Sequence, residues 1–330
     1  MPQKKFSKVC IYGAGAIGGW IGARLAGAGC QVNVVARGAT LDALKRHGLR
    51  CQHGAVETTV TVRASSDPAD LGVQDLVVIA VKAPALPEVA RRIAPLLGPH
   101  TVVLTAMNGV PWWFLQSFGG AYAGTALKTI DPQGEIAAAI PVTQVVGGVV
   151  HASCSLKLPG FVQHHFGNKL IIGEPAGGTS ERVQQLAALL TQASFEVDVS
   201  PQIQKDIWFK LWGNMTVNPI SALTGATTDK IMNDDLVRGF ISSVMLEAKE
   251  IGARLGIAID QQPEDRHAVT RKLGAFKTSM LQDVEAGRAV ELDALVTVVH
   301  ELGNLTGVAT PFTDALLGLA RLHARERELY

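Results

Sequence analysis

The chain reads as an α/β protein, with a doubly wound, mostly parallel sheet in its N-terminal part and a nearly all-helical C-terminal part. Three observations predict this. The apolar run Lys8-Val9-Cys10-Ile11-Tyr12 feeds directly into a glycine turn, Gly13-Ala14-Gly15-Ala16-Ile17-Gly18; a helix of small residues to about Ala28 and a second apolar run, Val32 to Ala36, follow it. Strand-like runs then alternate with helical stretches as far as about residue 200, the mark of a parallel sheet covered by helices on both faces. Beyond Pro201 the strand signals fade and long helical periodicities take over.

The glycine turn has the spacing G-x-G-x-x-G and stands in the context that spacing requires, a strand before it and a helix after. Gly13 permits the tight turn, Gly15 lets the backbone approach a pyrophosphate, and Gly18 lets the helix pack close to the strand. The helix N-terminus then offers unpaired N–H groups to the anion. This strand-helix-strand unit predicts a Rossmann-type dinucleotide site. An NAD site of this kind wants a carboxylate about 20 residues past the glycines, to accept from the ribose 2′-OH. The first acid in the chain is Asp42, several residues beyond the strand end, whereas Arg37 stands at that end. A guanidinium there suits a 2′-phosphate, so the reading favours NADP(H) over NAD(H).

Further strands are expected at Leu76 to Val81, Val102 to Ala106 and Val145 to Val150, with two shorter runs, Gly160 to Phe166 and Lys169 to Ile172, as antiparallel additions. A helix from about Ser180 to Ala193 and a strand from Phe195 to Val199 complete the first domain, 1–200. The second, 201–330, is expected to hold helices at about Ile203 to Val217, Asp235 to Leu255, Asp265 to Asp283 and Leu292 to Thr306. Asn233 or Asp234 can cap the second of these, and Gly256, Gly307 and Pro311 mark stops. In such proteins the crevice between domains is where substrate is expected to meet cofactor.

Composition removes several function classes. A content of 47% hydrophobic and 18% charged residues is ordinary for a compact protein, and a net charge of +1 without a basic run leaves no electrostatic footprint for nucleic acid or an anionic membrane. The apolar stretch 9–30 carries Arg24 and seven glycines and is better explained by the nucleotide turn than by a membrane span or signal peptide. Cys10, Cys30, Cys51 and Cys154 show no C-x-x-C spacing, which suits apolar fillers in a reducing, cytoplasmic compartment. His164 and His165 are adjacent, so a strand points them to opposite faces, and no metal site is expected.

Lys210, Asn214 and Asn218 recur at i, i+4 and i+8 within a stretch rich in Trp, Phe, Leu and Val, and so share one helix face. Polar groups on a largely buried helix need a ligand, a network or water, because an unpartnered buried amide costs about 1–3 kcal/mol. A desolvated lysine there has a lowered pKa and can act as a general acid; a snorkelling lysine beside two surface asparagines is the plain alternative. Glu291 and Asp293 open a helix, where acids commonly serve the macrodipole. Lys82 and Asn108 follow predicted strand ends, the edge of a doubly wound sheet that carries ligand contacts, although either is equally suited to a loop.

Taken together, the glycine turn, Arg37, Val81-Lys82, Asn108-Gly109, Lys210-Leu211 with Asn214 and Asn218-Pro219, Ser279-Met280-Leu281-Gln282-Asp283 and Glu291-Leu292-Asp293 resemble the ketopantoate reductases (2-dehydropantoate 2-reductases) over nearly the whole chain. The resemblance implies a Rossmann domain, a helical domain like that of 6-phosphogluconate dehydrogenase, and NADPH-dependent reduction of 2-dehydropantoate to pantoate in coenzyme A biosynthesis. It implies Lys210 as general acid on the keto oxygen, Glu291 on the substrate hydroxyl, and Asn214, Asn218 and Ser279 on the ketone and carboxylate. It implies Gly13, Ala14, Gly15, Ala16, Ile17, Gly18, Arg37, Lys82 and Asn108 for NADP(H), with Asn108 also near substrate. One departure follows Asn108-Gly109, where the family continues with a further glycine and an acid but this chain has Val110-Pro111-Trp112-Trp113-Phe114. Two other readings stay open: a paralogous reductase of another oxo acid, with Trp112 and Trp113 lining a different pocket, and a non-catalytic NADP(H) sensor. The apolar helical domain makes a homodimer plausible.

Overall fold

The computed structural model describes residues 6–330. Contacts divide the chain into two compact units, one comprising residues up to Met107, Gln116–Phe118 and Gln133–Ile203, the other Asn108–Leu115, Gly119–Pro132 and Gln204–Tyr330.

In chain order, the first unit contains β1 (Lys8–Tyr12), α1 (Ala16–Gly27), β2 (Gln31–Val35), α2 (Gly38–His47), β3 (Leu49–His53), β4 (Val56–Val60), β5 (Arg63–Ser65), β6 (Leu76–Ile79), α3 (Leu86–Arg92) and β7 (Val102–Thr105). It continues with α4 (Glu135–Ala139), β8 (Val145–Leu158), β9 (Phe161–Gly173), α5 (Glu181–Gln192) and β10 (Glu196–Val199). One sheet runs β4-β3-β9-β8-β7-β6-β1-β2-β5, with β10 beside β9. From β8 through β7, β6, β1 and β2 to β5 every pairing is parallel, and β1 lies between β2 and β6, where the strand order reverses. The expected doubly wound fold is therefore present, with its switch point at the end of β1.

The glycine turn sits at that point for steric reasons. Gly13 has φ +98°, a conformation other residues rarely adopt. A Cβ on Gly18 would overlap the Gly13 carbonyl oxygen and lie 2.9 Å from Ala80 Cβ. Further along α1, Gly19 and Gly22 admit Val162 of β9 and Leu49 of β3. Val9, Cys10 and Ile11 are fully buried, as a strand covered on both faces requires. Beside them Asn33 is also buried, and its amide donates to Gln74 Oε1 at 2.8 Å.

Several elements differ from the sequence expectation. The strand expected at Val145 to Val150 runs to Leu158, and the two short runs after it are one strand, β9, antiparallel to β8. Gly167, which reads as a break, takes φ +78° beside a register shift between His151 and Ser153; a Cβ there would lie 2.5 Å from the His151 carbonyl oxygen. The β3–β4 hairpin and β5 are not expected from the sequence: β4 is largely exposed, β5 is three residues long, and β3 buries only Leu49 and Cys51 on one face. His164 is buried and His165 exposed, as strand alternation requires.

The second unit is helical: α6 (Ile203–Thr224), α7 (Thr228–Asn233), α8 (Asp235–Arg254), α9 (Pro263–Arg271), α10 (Ser279–Glu285), α11 (Val298–Thr306) and α12 (Pro311–Glu326), with a π-helical segment, Asp293–Thr297, leading into α11. Helix α6 passes through Pro219, where the sequence suggests a stop. Such a proline costs about 3 kcal/mol, yet Val217, Ile220, Ser221 and Ala222 around it are buried, and that packing holds the last turn. The helix expected from Asp265 to Asp283 is two helices, interrupted at Gly274 (φ +63°) and restarted by Thr278, whose hydroxyl accepts from Leu281 N at 3.2 Å. Asp234 caps α8, accepting from Val237 N at 3.0 Å. Trp112 and Trp113, at 1% and 0% exposure, are core of the second unit and not the wall of an open pocket. The Phe114 ring lies tilted to that of Trp208 with centroids 6.2 Å apart, and Gln204 donates to the Phe114 carbonyl at 3.3 Å.

Among the described residues no helix is long and apolar enough to cross a membrane, and no cluster of His, Cys, Asp or Glu suits a metal ion. Gly18→Ala is expected to destabilise the protein by about 1–3 kcal/mol in urea unfolding through overpacking. Gly15→Ala, at φ −72° with nothing within 4 Å of the new methyl, should change stability by less than about 0.5 kcal/mol.

Candidate active site

The first unit offers a recess at the end of β1. A cavity of about 310 Å³ is lined by Gly13, Ala14 and Gly15 on one side and by Arg37, Glu88 and Arg92 on the other. The N-terminus of α1 opens immediately after Gly15. Arg37, at the end of β2, donates from Nη1 to both Glu88 carboxylate oxygens at 2.6 and 2.7 Å. Arg92, one turn along α3 from Glu88, lies 3.8 Å from the same carboxylate. Two guanidiniums thus share one carboxylate at the cavity rim. Neither Glu88 nor Arg92 was foreseen, since only the fold carries α3 to the end of β2; their i, i+4 spacing was the available signal. Lys82 begins the turn after β6, at the strand edge where it was expected.

The second unit assembles the polar row of α6. Ile207, Trp208, Leu211, Trp212 and Met215 anchor the helix in the core, and the two indoles donate to carbonyls of α8, Trp208 to Ala248 at 3.2 Å and Trp212 to Met245 at 2.7 Å. On the remaining face Asn218 is buried and Lys210 and Asn214 are half-buried. Lys210 Nζ donates to Asn108 Oδ1 at 2.7 Å. That asparagine is held by its neighbours: Val110 N donates to Ala294 O at 2.9 Å, and Gly109, at φ +82°, leaves no room for a side chain against Ala294. Ala294 itself belongs to the π-helical segment, a distortion common at functional sites.

Burial of the ammonium is the main cause that lowers the Lys210 pKa from 10.5 to about 8. Glu291, just before the π segment, opposes the fall, and Arg266 on α9 reinforces it. Lys210, Asn108, Glu291 and Arg266 therefore form one electrostatic group. Arg266 was missed by sequence reading; its signal was Gly213 in mid-helix, a costly residue without an evident surface reason. Ser279 opens α10, is exposed, and makes no hydrogen bond to this group.

The first unit carries a recess at a sheet switch point and the second a lysine of lowered pKa, and comparison with known proteins says which class these units belong to. Residues 9–177 match the family described as ketopantoate reductase PanE/ApbA, and residues 202–324 its C-terminal counterpart. The chain is 45% identical over 324 residues to a 2-dehydropantoate 2-reductase of Mesorhizobium japonicum, covering 98% of this chain and 99% of that one. A crystal structure from Ralstonia solanacearum MolK2, provisionally named a ketopantoate reductase, is 55% identical with a TM-score of 0.95, covering 98% of this chain and 100% of that one. A PanE/ApbA family ketopantoate reductase from Ralstonia eutropha JMP134 is 26% identical with a TM-score of 0.83, covering 97% and 99%. The chain belongs to the ketopantoate reductase family.

The electrostatic group is directly measurable. In a lysine-labelled NMR titration, the Lys210 side chain should lose its proton near pH 8. Glu291→Gln should move that midpoint down, because it removes a charge that favours the ammonium. Coincidence of the two curves would place Glu291 outside the group.

Proposed function

We propose that this protein reduces 2-dehydropantoate to pantoate with NADPH. The name of the Mesorhizobium relative supports the substrate, and the observation that carries the chemistry is the buried Lys210 ammonium, held at 2.7 Å by Asn108 with a pKa brought to about 8. The cofactor fits the residues present. Gly13 adopts the positive φ the turn needs, Gly15 has open space where a pyrophosphate would approach, and no acid follows β2 to claim a ribose 2′-OH from that position. Gly13, Gly15, Gly18, Lys82 and the N-terminus of α1 would hold the nucleotide, with Arg37 exchanging Glu88 for the 2′-phosphate. When bound, the reduced nicotinamide supplies the hydride that becomes the new C–H bond at C2 of the oxo acid.

Lys210 supplies the matching proton to the keto oxygen. As an ammonium it polarises the carbonyl; after transfer it is a neutral amine, stable because burial penalises its charged form, and solvent recharges it. Asn108 fixes the direction of the Nζ–H bonds. Asn214, Asn218 and Ser279 would orient the ketone and carboxylate, and Glu291 would accept from the substrate hydroxyl while keeping enough of Lys210 charged at neutral pH. Burial of Trp112 and Trp113 in the second unit supports a packing role for them over one in the substrate pocket.

The deciding assay follows NADPH and NADH oxidation in parallel with 2-dehydropantoate and a panel of other oxo acids; a better kcat/KM for another acid would overturn the substrate. Lys210→Ala should lower kcat by about 10²–10⁴-fold with NADPH affinity retained. Because the acid must be protonated to act, the reductive rate should hold below pH 8 and fall through and above it. Arg37→Ala should weaken NADPH binding by about 10- to 100-fold and leave NADH nearly unchanged, as expected when one charge-assisted hydrogen-bonding partner is removed.

A further inference from the structure

Arg266 is a cation in want of an anion. It sits on α9 with its guanidinium laid along α6 at Gly213: a Cβ on that glycine would overlap Nε and lie 2.6 Å from Nη2 and 2.8 Å from Cζ. A glycine in mid-helix costs about 1 kcal/mol relative to alanine, and α6 bears that cost where the guanidinium rests. Phe209, one residue from Lys210, contributes its ring at 5.7 Å, a contact that uses none of the N–H donors. Among the described residues no carboxylate or carbonyl hydrogen-bonds this side chain, and Nε is buried without a partner. Burial without compensation lowers its pKa as well. A half-buried guanidinium whose Nε is out of water and whose fork makes no internal hydrogen bond is a poor structural element and a good receptor for a planar anion.

Its position says which anion. Gly213 lies three residues from Lys210 and next to Asn214, and the Arg266 charge reaches Lys210 strongly enough to disfavour the ammonium. A ligand that engages both groups must present a proton-accepting carbonyl and a negative charge close together. In a 2-oxo acid the carboxylate carbon is bonded directly to the carbonyl carbon, so both demands are met by adjacent atoms.

We infer that Arg266, seated on Gly213, is the carboxylate-binding residue for the 2-oxo acid, with the two carboxylate oxygens accepting from its guanidinium while the keto oxygen faces Lys210. This rests on the oxo-acid reading above and adds the group that selects acids over neutral carbonyl compounds. It also gives the oxo acid a role in its own activation: its carboxylate neutralises the charge that most opposes the ammonium of Lys210.

The test compares wild type with Arg266→Met, Arg266→Lys and Gly213→Ala. KM for the oxo acid should rise about 10- to 100-fold in Arg266→Met, the size of a charged hydrogen-bonding contact, while kcat falls far less. Arg266→Lys should recover only part of this, having the charge but not the fork. Gly213→Ala keeps the arginine but denies it its seat, and should raise KM in the same direction. Wild type should prefer the 2-oxo acid over its primary amide, and Arg266→Met should lose most of that preference. Oxamate, an unreactive carboxylate, titrated by calorimetry should bind wild type and lose affinity by a similar factor in Arg266→Met. Unchanged KM, preference and oxamate affinity in variants with normal melting and coenzyme affinity would overturn the assignment. If wild type reduces no oxo acid, the function proposed above fails, and oxamate binding alone decides the role of Arg266. Should Arg266→Met not fold, Arg266→Lys and Gly213→Ala carry the same comparison.

Discussion

The second unit is organised around one electrostatic problem, a lysine ammonium held out of water. Its burial is possible because α6 is pinned by the large apolar side chains on its other faces and by two indole hydrogen bonds to α8. With the helix fixed in this orientation, the half-buried Lys210 side chain points its ammonium at Asn108 and not outward as a surface lysine would. The cost of desolvation is divided among a hydrogen bond to Asn108, the field of Glu291 and a lowered pKa. A group balanced near pH 8 can hold or release a proton under ordinary conditions, which is what proton donation to a carbonyl needs.

The neighbours of that lysine follow from the same constraint. Asn108 is useful only if its loop is stationary, and the loop is tied by a backbone hydrogen bond to the π-helical segment and by the close approach of Gly109. Glu291 stands two residues before that segment, so the same stretch of chain carries the counter-charge and ties down the acceptor's loop. Arg266 works against the ammonium, and packing alone gives no reason for a second, half-buried cation beside it. Under the proposal made above, an anionic ligand would resolve the conflict and so link substrate binding to the protonation state of Lys210.

In the first unit the corresponding constraint is steric. Gly13 and Gly18 allow β1 and α1 to approach until carbonyl and Cα are in contact, leaving the N-terminus of α1 aimed at the recess. The rim is charged but internally paired: Arg37 and Arg92 share Glu88. Any phosphate bound there competes with a carboxylate, so the net gain per contact is smaller than the bare geometry suggests.

The amino-acid sequence by itself determined whatever depends on near neighbours in the chain. The strand-turn-helix of β1 and α1, the alternation of strands with helices, the helical second half and the shared face of Lys210, Asn214 and Asn218 all follow from spacings of a few residues. Stops were read less well, because Pro219 and Gly167 have local preferences that burial and strand pairing override. Tertiary structure alone decided which distant groups meet: Asn108 with Lys210, Arg37 with Glu88, Arg266 with the backbone at Gly213. Local periodicity states which way a side chain faces on its own element; the energy of a buried charge is set by partners tens of residues away, and those exist only once the chain has packed.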